Sequence, residues 1–101
     1  QYSLINEICT EVEKGEILSL PTPGLTQALF VLWTRKEACL KALGVGLQLE
    51  PKSFHVGHSS IPIHTTLHWQ GEPQICRLES VSLPVDGLVA SVAVLELRSG
   101  S

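Results

Sequence analysis

The residues best suited to chemistry lie in one stretch of a predicted helix. Trp33, Glu37 and Lys41 are spaced four residues apart, so a helix would place them in a line on one face. Lys36 follows Trp33 by three residues and would border that face. A carboxylate between two ammonium groups can hold a hard cation such as Mg²⁺ while the lysines contact phosphate oxygens. This spacing suits a nucleotide or pyrophosphate substrate.

The same spacing also fits an ordinary helix surface. Glu37 four residues before Lys41 is the favourable orientation of an exposed helix ion pair, which stabilises a helix by about 0.2–0.5 kcal/mol. Clusters of charge are commonly solvated surface. Of the seven basic residues in the chain, Arg35, Lys36 and Lys41 fall close together, which hints at a local anion site. Spacing alone leaves both interpretations open.

The hydrophobic pattern indicates which elements must position these residues. Apolar residues between Leu4 and Val12 recur at helical spacing and predict an opening helix. Thr10 and Glu13 fit a capping box that begins a second helix, and residues 21–24 contain the prolines and glycine that end it. Residues 25–43 lack Gly and Pro and predict a long helix, which Gly44 would terminate.

After this helical region the pattern changes to that of β-strands. The β-branched or alternating runs are residues 54–56, 61–69, 75–83 and 88–97. The turn-forming segments between them are residues 58–60, 70–73 and 84–87. Short connections imply antiparallel pairing, and the apolar character of the last strand predicts that it is central. Helices followed by an antiparallel sheet predict an α+β fold, with the long helix packed on one face of the sheet.

The composition is that of one globular domain. A chain of 101 residues with 44% hydrophobic and 17% charged residues has room for a single core. No apolar run approaches the roughly 20 residues that span a bilayer. The net charge of −3 argues against nucleic acid, which requires a basic face. We therefore expect neither a membrane nor nucleic acid as a partner. We assign residues 1–97 to the domain and residues 98–101 to a flexible tail.

The cysteines and histidines do not predict a metal centre. Cys9, Cys39 and Cys76 are widely spaced and contain no C-x-x-C pair, so they are interpreted as reduced, buried thiols of a cytoplasmic protein. His64 and His68 alternate onto one face of a predicted strand, but the sequence suggests no third ligand beside them.

Three segments resemble the phosphopantetheinyl transferase superfamily. Residues 33–47 are similar to its W-x-x-K-E-A-x-x-K-x-x-G-x-G-L signature without a gap. Residues 9–13 resemble the aromatic-Ser-x-x-Glu element that precedes the signature, with Cys9 in place of the aromatic residue. Residues 87–93 are similar to the closing strand of the same domain.

The resemblance implies transfer of the phosphopantetheine moiety of coenzyme A to a serine of an acyl or peptidyl carrier protein. It implies that Glu37 binds Mg²⁺, that Lys36 and Lys41 contact the phosphates of coenzyme A, and that Lys41 also takes part in the chemistry. Glu37 and Lys41 are thus the predicted catalytic residues, with Mg²⁺ as cofactor and coenzyme A as substrate.

One part of the family pattern is missing. The family supplies further metal ligands from an Asp-x-Glu motif upstream of the signature, and the only aspartate of this chain is Asp86. We therefore expect the chain to be the C-terminal lobe of a two-lobed enzyme, inactive alone and completed by an N-terminal lobe or a second copy. The alternative is a non-catalytic docking or dimerisation module derived from that lobe.

Overall fold

The computed structural model describes residues 2–59, 61–82 and 89–96. The helices come first and the strands follow, which confirms the predicted α+β class. The helices are α1 (Tyr2–Ile8), α2 (Glu11–Leu18) and α3 (Thr22–Leu43), followed by the 3-10 turns Gly46–Gln48 and Pro51–Ser53. The strands are β1 (Ile63–Trp69), β2 (Glu72–Ser82) and β3 (Val89–Leu95).

The start of α2 is the capping box that the sequence predicts. The backbone N–H of Glu13 donates to the Thr10 hydroxyl over 3.1 Å, and the backbone N–H of Thr10 donates to Oε1 of Glu13 over 2.9 Å. Two amides that a helix start would leave without partners are thereby satisfied.

The long helix α3 begins at Thr22, three residues earlier than predicted. Pro21 has the extended backbone of an N-cap residue, and Pro23 lies in the first turn, where a backbone N–H has no helical partner to lose. The predicted end of the helix is confirmed. Gly44 adopts the left-handed conformation with φ of 79° and donates its N–H to the carbonyl of Leu40 over 2.9 Å.

The strands form one antiparallel sheet in the order β1-β2-β3. Trp69 pairs with Glu72 across a two-residue turn in which Gln70 and Gly71 both have positive φ, the geometry of a tight hairpin. The prediction that the last strand is central is wrong, because β2 occupies the middle of the described sheet. β3 packs under α3 through Ala93 and Leu95, which are partly buried, whereas Val92 and Val94 are 46% and 44% exposed. The predicted turn at residues 84–87 lies outside the described residues.

Residues 54–56 do not form a strand, so that prediction is wrong. Their backbone groups bind side chains rather than a neighbouring strand. The carbonyls of Phe54 and Val56 accept hydrogen bonds from Lys36 and Arg35, and the N–H of Val56 donates to Glu13. A segment that uses its backbone in this way has few groups left for sheet pairing.

The core lies between the helices and one face of the sheet. Leu32 of α3, Leu67 of β1 and Leu78 of β2 are fully buried there. Cys9, Cys39 and Cys76 are free thiols in the same buried layer, as predicted. Within the described ranges, no helix is both long and apolar enough to cross a membrane.

Candidate active site

Three residues of the predicted line meet at one cavity beside α3. Trp33, Glu37 and Lys41 line a cavity of about 200 Å³ together with Leu40 and two residues beyond the helix, Gly46 and Leu47. Glu37 is partly buried and Lys41 is exposed. The helical spacing of these residues therefore brings Glu37 and Lys41 to the same depression.

The wall opposite the helix depends on how α3 ends. After Gly44 the chain reverses, and Gly46 also takes a positive φ, of 58°. This backbone carries Leu47 back beside the helix, where 72% of the side chain remains exposed. The positive φ angles explain why glycine occupies both of these positions of the signature, since residues with a side chain rarely adopt this conformation. Their conformation shapes the cavity without requiring contact with a ligand.

The other two cations of the basic cluster lie inside the protein. Arg35 and Lys36 are both fully buried, whereas Lys41 is exposed. On a helix, consecutive residues point about 100° apart. This rotation carries Arg35 and Lys36 away from the face that presents Glu37. The cluster in the sequence is therefore not one cationic surface.

Lys36 is held by three oxygen atoms of the protein. Its Nζ lies 2.9 Å from Oε1 of Glu13, donates to the carbonyl of Pro51 over 2.7 Å and also donates to the carbonyl of Phe54. The ammonium group lies 4.6 Å from the centroid of the Phe54 ring, a cation–π contact. Burial lowers the pKa of Lys36 from its usual value, and the adjacent Glu13 carboxylate opposes that shift.

Glu13 is a buried carboxylate that joins three parts of the chain. Besides capping α2 through Thr10 and pairing with Lys36, it accepts the backbone N–H groups of Val56 over 2.6 Å and Gly57 over 2.9 Å. Burial by itself raises the pKa of a carboxyl group, but the Val56 hydrogen bond and the Lys36 charge outweigh it and hold the pKa of Glu13 below its usual value. Glu13 is therefore charged in the folded protein at neutral pH.

Arg35 anchors the same segment from the neighbouring position on α3. Its guanidinium donates to the carbonyl of Val56 over 2.8 Å and to that of Ile61 over 2.5 Å, with a longer contact of 3.4 Å to the Ser80 hydroxyl. Burial lowers the pKa of Arg35 from its usual value. Arg35 and Lys36 together tie α3 to the irregular chain between Leu49 and Ile61.

A second cavity, of about 340 Å³, lies beside this irregular segment. His55, His58 and His64 are among the residues that line it. Nδ1 of His55 is 3.6 Å from Oε2 of Glu13, and Nε2 of His64 is 2.6 Å from Oε1 of Glu96. Among the residues that the structure describes, no three histidine, cysteine or acidic side chains are grouped so that they could hold a metal ion.

The comparison with family models decides the relationship. The model of the 4′-phosphopantetheinyl transferase superfamily matches residues 2–93, which is most of the chain. The chain belongs to this superfamily. No curated protein and no solved structure matches it. Transfer of phosphopantetheine is the general activity of the superfamily, and membership indicates a transferase of this kind.

The donor atoms at the cavity are compatible with Mg²⁺ but supply only part of a coordination shell. Mg²⁺ prefers six oxygen ligands and is commonly bound by one or two carboxylates together with water and substrate phosphates. In the described part of the chain, the carboxylate at the cavity of about 200 Å³ is Glu37. Asp86, the only aspartate in the sequence, lies outside the described residues. The fit is therefore that of one protein ligand with room for substrate oxygens.

Sequence reasoning found the cavity residues but not the buried network behind them. One feature of the sequence points to this network of Glu13, Arg35 and Lys36. Glu13 ends the second element that resembles the family, and a capping box alone would not require this glutamate to be buried. The partner on α3 is 23 positions further along the chain, and the amides of Val56 and Gly57 are 43 and 44 positions away. Only tertiary folding brings these groups together.

Proposed function

We propose that this chain supplies one lobe of an enzyme that transfers phosphopantetheine from coenzyme A to a carrier-protein serine in a Mg²⁺-dependent reaction. The supporting observation is the combination of superfamily membership with the placement of Glu37 and Lys41 at one cavity. A carboxylate and an exposed ammonium group beside an apolar depression suit a ligand that has both an anionic and an apolar part. Coenzyme A is such a ligand.

The proposed reaction is a displacement at phosphorus. The serine oxygen forms a bond to the phosphorus that bears the pantetheine arm, and the bond from this phosphorus to the bridging pyrophosphate oxygen breaks. The hydroxyl proton passes from the serine to a water molecule, and the bridging oxygen departs with adenosine 3′,5′-bisphosphate. Bound Mg²⁺ would neutralise the charge that develops on the phosphate oxygens.

Within this scheme each cavity residue has a distinct task. Glu37 would contribute one carboxylate oxygen to the metal, with the remaining ligands from the substrate, water and the part of the enzyme outside this chain. Lys41 would contact the phosphates and stabilise the charge on the departing bisphosphate. Trp33, Leu40 and Leu47 offer an apolar wall for the pantetheine arm. The resemblance also implies a phosphate contact for Lys36, whose side chain is fully buried in this structure.

The metal role of Glu37 is tested by Glu37→Gln in the longest natural polypeptide that contains this chain. The matched control is Glu7→Gln, which removes the charge of an exposed glutamate on α1. The assay measures transfer of a fluorescent pantetheine arm from labelled coenzyme A to an apo-acyl carrier protein as Mg²⁺ is varied. We expect Glu37→Gln to lower turnover at least a hundredfold with a melting temperature close to that of the unsubstituted protein. Near-normal turnover would refute the metal role.

A second function is favoured by a specific observation on the same helix. Phe30 lies two helical turns before Glu37 on the same face and is 43% exposed, and Leu47 is 72% exposed. An apolar surface of this kind also suits a docking or dimerisation module without catalysis. Calorimetric titration with coenzyme A and Mg²⁺ separates the two functions, since only the enzyme lobe requires that ligand.

We also expect the isolated chain not to transfer phosphopantetheine. Efficient labelling of a carrier protein by the isolated chain would contradict the two-lobe proposal.

A further inference from the structure

We infer that Lys36 is not a ligand of coenzyme A but a positioning residue, which acts with Glu13 to orient α3 so that Glu37 faces the cavity. This inference rests on the proposed function, because it assigns a role in supporting the proposed metal ligand. It differs from the role that the family signature implies for this lysine. Three features of the described residues carry it.

The first feature is that the ammonium group of Lys36 has no donor left for a phosphate. A protonated lysine has three N–H donors and no acceptor. Nζ of Lys36 contacts three protein oxygens, one each on Glu13, Pro51 and Phe54. The side chain is fully buried. A contact with coenzyme A would require the loss of at least one of these bonds and the exposure of a buried residue.

The second feature is that Glu13, the partner of Lys36, is also buried and fully hydrogen-bonded within the protein. Both carboxylate oxygens of Glu13 are in use, Oε1 by Thr10 and Lys36, and Oε2 by the amides of Val56 and Gly57. Glu13 is as fully buried as Lys36. Removing one member of such a pair leaves the other as an uncompensated buried charge, so the two residues act as a unit.

The third feature is the position of the pair relative to Glu37. Lys36 precedes Glu37 directly and Arg35 precedes Lys36, so two internal anchors are adjacent to the cavity residue. Lys36 ties α3 to α2 through Glu13 and to the segment around Phe54. Because successive helical residues differ by about 100° in direction, fixing Lys36 inward fixes the direction in which Glu37 points.

The functional consequence concerns the metal more than coenzyme A. A single carboxylate contributes most to a metal site when its direction is fixed before the metal binds. Loosening the rotation of α3 would therefore weaken Mg²⁺ binding in the complex with coenzyme A. Once Mg²⁺ is saturating, direct phosphate contacts such as that proposed for Lys41 would still be present. A positioning residue and a phosphate ligand are thus distinguishable.

The experiment uses the longest natural polypeptide that contains this chain, with the double substitution Glu13→Gln and Lys36→Met, which removes both buried charges together. Coenzyme A affinity at saturating Mg²⁺ is measured by calorimetry, and the half-saturating Mg²⁺ concentration is measured by the same method. Lys41→Met is the control for loss of a phosphate contact, and Lys52→Met is the control for loss of an exposed lysine. Urea unfolding of the single and double variants reports the coupling within the pair.

We expect the double variant to unfold at a higher urea concentration than either single variant. Its affinity for coenzyme A at saturating Mg²⁺ should stay within threefold of the unsubstituted protein, while its half-saturating Mg²⁺ concentration rises at least tenfold. Lys41→Met should weaken coenzyme A binding at least tenfold even at saturating Mg²⁺, and Lys52→Met should change neither quantity. Loss of coenzyme A affinity in the double variant equal to that in Lys41→Met would overturn the inference, as would an unchanged Mg²⁺ requirement.

A measurement on the unsubstituted protein does not depend on the variants folding. Lysine acylation followed by mass spectrometry should leave Lys36 unmodified with and without coenzyme A, and should modify Lys41 only when coenzyme A is absent. Modification of Lys36 that coenzyme A prevents would identify it as a ligand and overturn the inference. If the unsubstituted protein binds no coenzyme A at all, the proposed function itself is refuted, an outcome distinct from either pattern of lysine labelling.

Discussion

Replacement of Glu13 by Gln should be among the most destabilising single substitutions in this domain. The glutamine is nearly the same size, so packing is preserved and the change is mainly electrostatic. With its oxygen facing the amides of Val56 and Gly57, its NH₂ group would face the N–H of Thr10 and the ammonium of Lys36. Donors would then oppose donors at a site where the side chain is fully buried.

The expected loss of unfolding free energy follows from the buried charge of Lys36, which the substitution leaves without a partner. Removing one partner of a buried ion pair costs about 3–5 kcal/mol, because the remaining charge is uncompensated. A domain of this size has a total stability of about 5–15 kcal/mol. Since about 1 kcal/mol corresponds to about 4–8 °C in the melting temperature of a small domain, the expected decrease is about 12–40 °C.

Urea unfolding monitored by tryptophan fluorescence measures the free energy directly, and circular dichroism gives the melting temperature. The matched control is Glu16→Gln, which removes an exposed carboxylate from the same helix and should change the stability by less than about 0.5 kcal/mol. A loss below about 1 kcal/mol in Glu13→Gln would show that Glu13 is not the charged centre of a buried network, since a typical neutral hydrogen bond contributes that much.

Three further predictions concern acid stability, the end of α3 and the thiols. The folded-state pKa of Glu13 lies below its ordinary value of 4.5, so the stability that this group contributes is present above about pH 4.5 and is lost as the pH falls through the folded-state pKa. The unfolding free energy of Glu13→Gln should therefore depend less on pH in the acid range than that of the unsubstituted protein. An equal dependence on pH in the two proteins would contradict this assignment. Gly44→Ala should destabilise the domain by about 1–2 kcal/mol, because φ is positive at this position. Gly15→Ala, inside α2 with open space around it, should stabilise the domain by about 0.5–1 kcal/mol. Equal effects of the two substitutions in thermal melts would contradict the cap geometry. Burial raises the pKa of the Cys9 thiol to about 11, so it should react with an aromatic disulfide reagent at pH 8 only after urea is added, and rapid reaction of the native protein would contradict its burial.

The local features of the fold were largely predictable from the sequence. The Thr10 capping box and the Gly44 helix end depend on backbone groups within a few residues of the side chain that satisfies them. For the same reason the long helix, and with it the common face of Trp33, Glu37 and Lys41, followed from spacing alone. Periodicity describes neighbours along the helix, and these contacts are between such neighbours.

Apart from the start of α3, the predictions that failed concerned contacts between distant parts of the chain. Residues 54–56 have the composition of a strand, but their backbone is recruited by Arg35, Lys36 and Glu13, whose positions lie far away in sequence. The apolar last strand is not central in the described sheet. It packs under α3 through Ala93 and Leu95, while Val92 and Val94 are 46% and 44% exposed, so its apolar composition did not indicate a position between two strands.

The sequence by itself determined the family, the α+β class and the residues that meet at the cavity. Only the tertiary structure separated the basic cluster into an exposed Lys41 and an internal Arg35 and Lys36. The physical reason is that a cation can be buried only where enough oxygen atoms surround it. Those oxygens come from α2 and from the segment between Pro51 and Ile61, and only folding brings them to α3.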